Sequence, residues 1–353
     1  MLSVRKRVHA SGKRVWLVRM ASLLAAAGMI SIILLCMGYH PLRVFGSLIY
    51  GAFGRRIFIQ ETVKRMIPLL TAAMGLGLAF KMKLWNVGGE GQILMGGAAA
   101  TAVAIYGEGL PHTLLLFLMG IAGIVGGGLW GLIPGACKAR WNTNETLLTL
   151  MFNYIAQKFI VLLQNTPSWQ DEYNAYPQVK MLSINARLPR VFGVHIGWMI
   201  VILLMVLFYI YAKKTKQGFE IEVVGDSQNT ARYAGISVRS SILRTMFLSA
   251  ALCGLAGFLQ VSGADGTLSD STAGGMGFTA ITVAWMAGIN PVGMLVVALF
   301  ISTLERGSSY IQTDFLIPAS FADVMVGIIL LFMMGCEFFI GYEIVRRRES
   351  NAG

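Results

Sequence analysis

One pattern repeats along nearly the whole chain: apolar runs of roughly 18 to 25 residues, the length that crosses a bilayer core of about 30 Å. In hydrocarbon no water satisfies backbone N–H and C=O groups, so a spanning segment must be a helix or a strand of a closed barrel. A barrel alternates apolar and polar residues over segments of about ten, and these runs do not alternate. Spans are predicted over about 17–38, 60–80, 84–106, 112–136, 145–164, 196–212, 243–262, 276–289, 291–306 and 321–342. Asn290–Pro291 reads either as a hairpin or as a break in one long element, because a residue before proline leaves the helical region. Composition agrees, with 56% hydrophobic and 13% charged residues, against about 25% charged in a soluble domain. The expected fold class is all-α: a polytopic membrane helical bundle of about ten transmembrane helices, in a single domain over residues 1–353. Residues 39–59 mix Arg43, Arg55 and Arg56 with aromatics and glycines, and read as an interfacial helix.

The formal net charge is +12, which raises nucleic acid as a partner. The distribution argues for membrane lipid instead. Arg5, Lys6, Arg7, Lys13 and Arg14, then Lys81 and Lys83, Lys138 and Arg140, Lys213, Lys214 and Lys216, and Arg346–Arg348 cluster at the ends of apolar runs, as the positive-inside rule requires. Both termini, including segment 1–16, are then expected in the cytoplasm, with loop 165–195 outside and loop 213–242 inside. The basic head before Ala21–Gly38 has the form of a signal peptide, but the many later spans favour an uncleaved first helix. Cys36, Cys137, Cys253 and Cys336 form no close pair and read as packing residues. His9, His40, His112 and His195 lie near predicted helix ends and imply no metal site. No phosphate-binding G-x-x-x-x-G-K-[ST] loop occurs; Gly12–Lys13 lacks both the upstream glycine and the following hydroxyl residue. No nucleophile–base arrangement emerges, so no enzyme chemistry or bound cofactor is expected on this chain.

The stretch LWNVGGEGQILMGG, residues 84–97, interrupts this apolar pattern. Gly88, Gly89 and Gly91 weaken a helix, and a broken helix at membrane depth survives only inside protein or along a cavity. Glu90 then sits beside N–H groups that open the next helical half, where a carboxylate is favoured. Two readings stay open: Glu90 caps the break, or Asn86, Glu90 and Gln92 line a solute route. A fainter echo, GGMGFTAITVAWMAGINPVGMLVV at 274–297, also interrupts apolar helix with glycine and asparagine, as the paired broken helices of transporters do. Asn153 and Tyr154 could hydrogen-bond a solute or tie helices together. Thr279, Trp285 and Phe278 could contact one or simply pack. Lys158 reads as a snorkelling residue, and Asp323 and Glu337 as headgroup neighbours. In the basic loop, SQNTARYAGI at 227–236 reads as a one- or two-turn helix. Ser227 or Asn229 would cap it, Ala231 and Ala234 are small, and Gly235 would end it. Arg232 and Tyr233 are the kind of side chain that anchors an interface. Docking element and ordinary surface helix remain alternatives on these residues alone.

Several segments resemble the permease subunits of bacterial ABC importers, in the branch that includes nucleoside and simple-sugar permeases. NVGGEGQ at 86–92 is similar to the F-N-I-G-x-E-G-Q signature, with Trp85 where phenylalanine is usual. NETLLTLMFNYIA at 144–156 and GFEIEVVGDSQNTARYAGISV at 218–238 resemble two further motifs, and LSAALCGLAGFLQVSG and GMGFTAITVAWMAGINPVG the segments after them. The resemblance implies a type II ABC importer-like bundle in the bacterial plasma membrane. It implies that Asn229, Ala231, Arg232, Tyr233, Ala234 and Gly235 form a coupling helix seated on a separate ATPase, which binds ATP and magnesium. It further implies a second permease subunit and an extracellular substrate-binding lipoprotein. Asn86, Glu90, Gln92, Asn153, Thr279 and Trp285 are the expected substrate pathway. Nucleosides, neutral solutes with a flat base, are the expected cargo, and a simple sugar is the alternative. An ion-coupled carrier using Glu90, and a membrane enzyme, are the remaining alternatives.

Overall fold

The computed structural model describes residues 2–6, 12–171 and 176–346. In chain order the elements are strand β1 (Leu2–Lys6) and helices α1 (Gly12–Cys36), α2 (Pro41–Phe53), α3 (Arg56–Lys81), α4 (Gly89–Tyr106), α5 (His112–Trp141) and α6 (Glu145–Gln164). A short hairpin follows, β2 (Arg190–Val191) with β3 (Val194–His195), then α7 (Gly197–Lys214), α8 (Lys216–Asp226), α9 (Gln228–Tyr233) and α10 (Val238–Gln260). A π-helical turn, Val261–Asp265, extends α10 before α11 (Met276–Met286), α12 (Pro291–Phe315), α13 (Ala319–Gly341) and β4 (Tyr342–Arg346). The chain is all-α apart from these short strands. Eight helices among the described residues are long and apolar enough to cross a membrane. The difference from the ten spans expected is α4, as long as α7 but with a polar first turn, and the shorter α11.

Two compact units emerge, residues 1–59 with 303–353, and residues 60–302. In the first, α1 runs along α13 and β1 pairs antiparallel with β4, Leu2 opposite Arg346 and Lys6 opposite Tyr342. Within the expected interfacial segment, α2 covers Pro41–Phe53, with proline in its first turn, the position proline suits best, and residues 56–59 already belong to α3. One of its faces buries Val44, Leu48 and Ala52. Gly51 lies so close to Tyr310 that a β-carbon there would collide with the ring. Arg306 stacks over Phe58 at 4.9 Å. The side chain of Glu337 and residues 7–11, which include Arg7 and His9, lie outside the described residues.

The second unit is built on α4, α5 and α10, which pack backbone to backbone. The sequence reason is glycine at the crossing point. A β-carbon on Gly254 would lie 2.8 Å from Cα of Gly127 and would overlap the Gly123 carbonyl. Without a hydrophobic drive between helices in lipid, such small-residue contacts are what lets them associate. Asn290 resolves the hairpin alternative: Gly288 and Ile289 take left-handed conformations, and Asn290 Oδ1 accepts from the Val292 N–H at 3.0 Å to open α12. The basic loop expected over 213–242 is largely helical. Thr215 Oγ1 accepts from the Gly218 N–H at 3.1 Å, a side-chain cap that starts α8 directly after α7.

Candidate functional site

Helix α3 ends at Lys81, Lys83 turns the chain through a left-handed conformation, and α4 starts only at Gly89. Residues 84–88 are therefore non-helical, and every polar group of this segment needs a partner. Asn86, Gln92 and Asn153, singled out above, supply many of these partners, and Thr149 and Ser249 complete them. Asn86 Oδ1 accepts from the Gly88 N–H and from Gln92 Nε2, each at 3.0 Å. Its Nδ2 donates to Ser249 Oγ on α10 at 3.0 Å. Asn153 on α6 bridges the break, accepting from the Gly91 N–H and donating to the Val87 carbonyl, both at 2.9 Å. Thr149 Oγ1 accepts from the Val87 N–H at 3.2 Å. Asn86, Gln92, Thr149 and Asn153 are all buried, so these groups form a closed network that holds the break.

Glu90 lies in the first turn of α4 yet serves another helix. Oε1 accepts from the Gly275 N–H at 2.7 Å and Oε2 from the Gly277 N–H at 2.8 Å. These N–H groups open α11, so one carboxylate sits at the positive ends of two helices that meet N-terminus to N-terminus. Only glycine fits at the meeting point. A β-carbon on Gly277 would lie 2.7 Å from Cα of Glu90 and would overlap its backbone nitrogen. Gly275, in the left-handed region at φ 82°, lets the loop turn into the helix. The capping reading therefore describes Glu90, with the capped helix 185 residues away in sequence.

The far end of α11 meets the segment before α4 in an aromatic cluster. Trp285 stacks on Trp85 with ring centroids 5.2 Å apart and planes 17° from parallel, and the rings are 46% and 45% exposed. Phe80 packs against both. Phe278, two turns before Trp285 on α11, is exposed. Thr279 is half-buried and donates its hydroxyl to the Gly275 carbonyl at 3.1 Å. On α6, Tyr154, Gln157 and Lys158 are exposed together. Of the expected pathway residues, Trp285 is exposed, and Glu90 and Thr279 are partly exposed. Trp85 joins them, and the signal for it was its departure from the phenylalanine usual in its motif.

The second cluster lies at the α8/α9 end. Ser227 Oγ accepts from the Thr230 N–H at 3.2 Å, making Ser227 the cap of α9. Gly235 closes the turn in the left-handed region at φ 77°. Tyr233 is 94% exposed, whereas Ala231 is fully buried. Ala231 packs into a core with Ala79, Leu84, Val224 and Ile242. Asn229, Arg232, Ala234 and Gly235 share the exposed side, and Arg232 donates to Asn229 Oδ1 at 3.3 Å. Three ion pairs tie α8 down: Lys81–Glu222 at 3.1 Å, Lys83–Asp226 at 3.0 Å and Arg244–Glu220 at 2.7 Å.

A bundle of membrane-length helices with two short ones meeting head to head inside it is the architecture of a solute permease. A family model described as "Branched-chain amino acid transport system / permease component" matches residues 58–334. The chain is 30% identical over 336 residues to the glucose ABC transporter permease protein TsgB13 of Haloferax volcanii, covering 92% of this chain and 88% of that protein. It is 31% identical over 319 residues to the guanosine ABC transporter permease protein NupP of Bacillus subtilis, covering 87% and 89%. It is 32% identical over 314 residues to the nucleoside ABC transporter permease protein NupB of Lactococcus lactis, covering 86% of each. The chain belongs to this permease-component family and is a multi-pass membrane subunit of an ABC transport system.

Proposed function

We propose that this subunit forms, with a second permease, the import route for nucleosides. The observation that carries the reading is the half-exposed Trp85–Trp285 stack, at the end of α11 opposite the Glu90 junction. A nucleoside offers a flat base and neutral hydroxyls, and an aromatic face in a membrane cavity takes such a base by stacking. Glu90 has both oxygens committed to backbone N–H groups, and Glu222 and Asp226 are paired with Lys81 and Lys83, which suits an uncharged solute better than an ion-coupled carrier. The exposed side of α9, with Asn229, Arg232, Tyr233, Ala234 and Gly235, faces the cytoplasm and docks on a separate ATPase that binds ATP and magnesium. Both chain termini lie on that side, and an extracellular lipoprotein delivers the solute at the other. The glucose permease among the relatives keeps a simple sugar as the second reading.

The deciding experiment is uptake by the assembled transporter in liposomes, with labelled guanosine and labelled glucose in parallel. Uptake of guanosine that unlabelled nucleosides compete away, and glucose does not, is the expected result. Trp85→Ala and Trp285→Ala should each weaken apparent nucleoside affinity by roughly tenfold, in line with about 1–3 kcal/mol per base–aromatic stack. Uptake confined to glucose, or tryptophan variants with unchanged nucleoside affinity, would refute the reading.

A further inference from the structure

Among the described residues, helix α7 keeps its backbone away from α5 and α10 along most of its length, while its end is tied to α3 by Lys81 Nζ donating to the Ala212 carbonyl at 2.6 Å. The space left behind is not filled by protein. A cavity of about 280 Å³ lies between Ile124 of α5, Leu207 and Phe208 of α7, and Leu252 and Leu255 of α10. A second, of about 400 Å³, begins at the same Ile124 and Leu255 and runs toward His112 and Pro189 at the hairpin end. Together they make an apolar groove along α7, bordered by Ile200 at one level and Tyr211 at another. A dry void of this size forfeits the dispersion contacts of its walls.

The end of the groove at α8 has a different character. The Tyr211 hydroxyl and the Arg244 guanidinium lie within reach of each other there, but neither Tyr211 Oη nor Arg244 Nε has a hydrogen bond of good geometry among the described residues. The Arg244 charge is already met, since Nη2 pairs with Glu220 at 2.7 Å, so what is missing is an acceptor for the remaining N–H and O–H donors. Lys213 and Lys214 end α7 one turn further on and are exposed. Apolar walls, two donors without an acceptor and a pair of free cations follow one another along the groove.

We infer that this groove holds an acyl chain of an anionic phospholipid from the leaflet on the α8 side, with its phosphate against Tyr211, Arg244, Lys213 and Lys214. The phosphate supplies acceptor oxygens to both donors and charge to both lysines, as juxtamembrane basic groups take anionic headgroups. The chain fills the gap that keeps α7 from its neighbours. The lipid is then part of how α7 is held and, through Thr215 and α8, of how the α9 surface is held. Naming the leaflet cytoplasmic rests on the orientation proposed above; the site itself does not.

The test uses the assembled transporter in mild detergent and reads lipid rather than transport, so its outcome is independent of the substrate. Native mass spectrometry should find phosphatidylglycerol retained, and added phosphatidylglycerol should raise the thermal midpoint where phosphatidylcholine with the same chains does not. The double variant Lys213→Gln, Lys214→Gln, which alters only exposed side chains, should bind phosphatidylglycerol about tenfold or more weakly and lose the selective stabilisation. Equal stabilisation by both lipids with an unchanged double variant would overturn the headgroup assignment. A Leu207→Cys variant that crosslinks to a helix of another subunit, with no lipid retained, would show that protein fills the groove and overturn the inference altogether.

Discussion

At the scale of single residues, the junction turns on a carboxylate that spends both oxygens on the backbone of another helix. Glu90→Gln keeps one acceptor but places an amide N–H₂ against a backbone N–H. Losing a hydrogen bond to a charged group costs about 1.5–3 kcal/mol, so the thermal midpoint of the variant should fall while apparent substrate affinity hardly changes. A loss confined to affinity, at full stability, would instead make Glu90 a solute contact. His195 gives a second residue-scale expectation. Its ring is enclosed by Gly197 and Gly263, where any β-carbon would strike the imidazole. Burial, with Lys64 and Arg190 nearby, pushes its pKa down to about 4 from 6.5. Above pH 6.5 the ring is neutral in folded and unfolded chains alike. As pH falls toward 4 only the unfolded chain takes up the proton, so stability should decline by up to roughly 3 kcal/mol across that window. His195→Gln should flatten this part of a thermal-midpoint profile against pH. The sequence left Glu90 between capping its own break and lining a solute route, and could not point to α11, since local pattern carries nothing about a partner 185 residues on. For the same reason Asn86 and Gln92 read as pathway residues, although they turn toward each other.

At the scale of elements, α9 is a single capped turn whose two alanines do opposite things. Ala231 closes the protein's own core beneath the turn, and Ala234 lies on the open side. Ala231→Leu should overpack that core at a cost of about 1–3 kcal/mol, visible as a lower thermal midpoint in the subunit itself. Ala234→Leu should leave the midpoint in place and reduce assembly with the ATPase, measured by co-purification. Indistinguishable behaviour of the two variants would remove α9 from the coupling surface. Both alanines are equally small in the sequence, and a helix of six residues has too little periodicity to say which faces inward. The long helices are the opposite case. Their run lengths follow from bilayer thickness, so their positions were legible throughout. Helix α8 was not, because its Thr215 cap directly follows Lys213 and Lys214 and reads as more of a polar loop.

At the scale of the whole molecule, the proposed function gives the chain a route and a docking surface and places the energy source on another subunit. Reconstituted alone in liposomes with ATP, it should move no nucleoside; adding the ATPase and the second permease should restore uptake, and robust uptake driven by an ion gradient in the single chain would contradict this. The junction of α4 and α11 has a further meaning for the membrane that houses it. Each helix start carries roughly half a positive elementary charge, and the two that meet here amount to about one. Glu90 supplies the opposite charge at the same point. A junction left positive would draw anions into the bundle and one left negative would draw cations, and either would let a solute route conduct. With the two halves and the carboxylate in balance, the junction adds no net charge to the route. On the proposed function, a neutral solute would then cross a polarised membrane without opening an electrical short circuit.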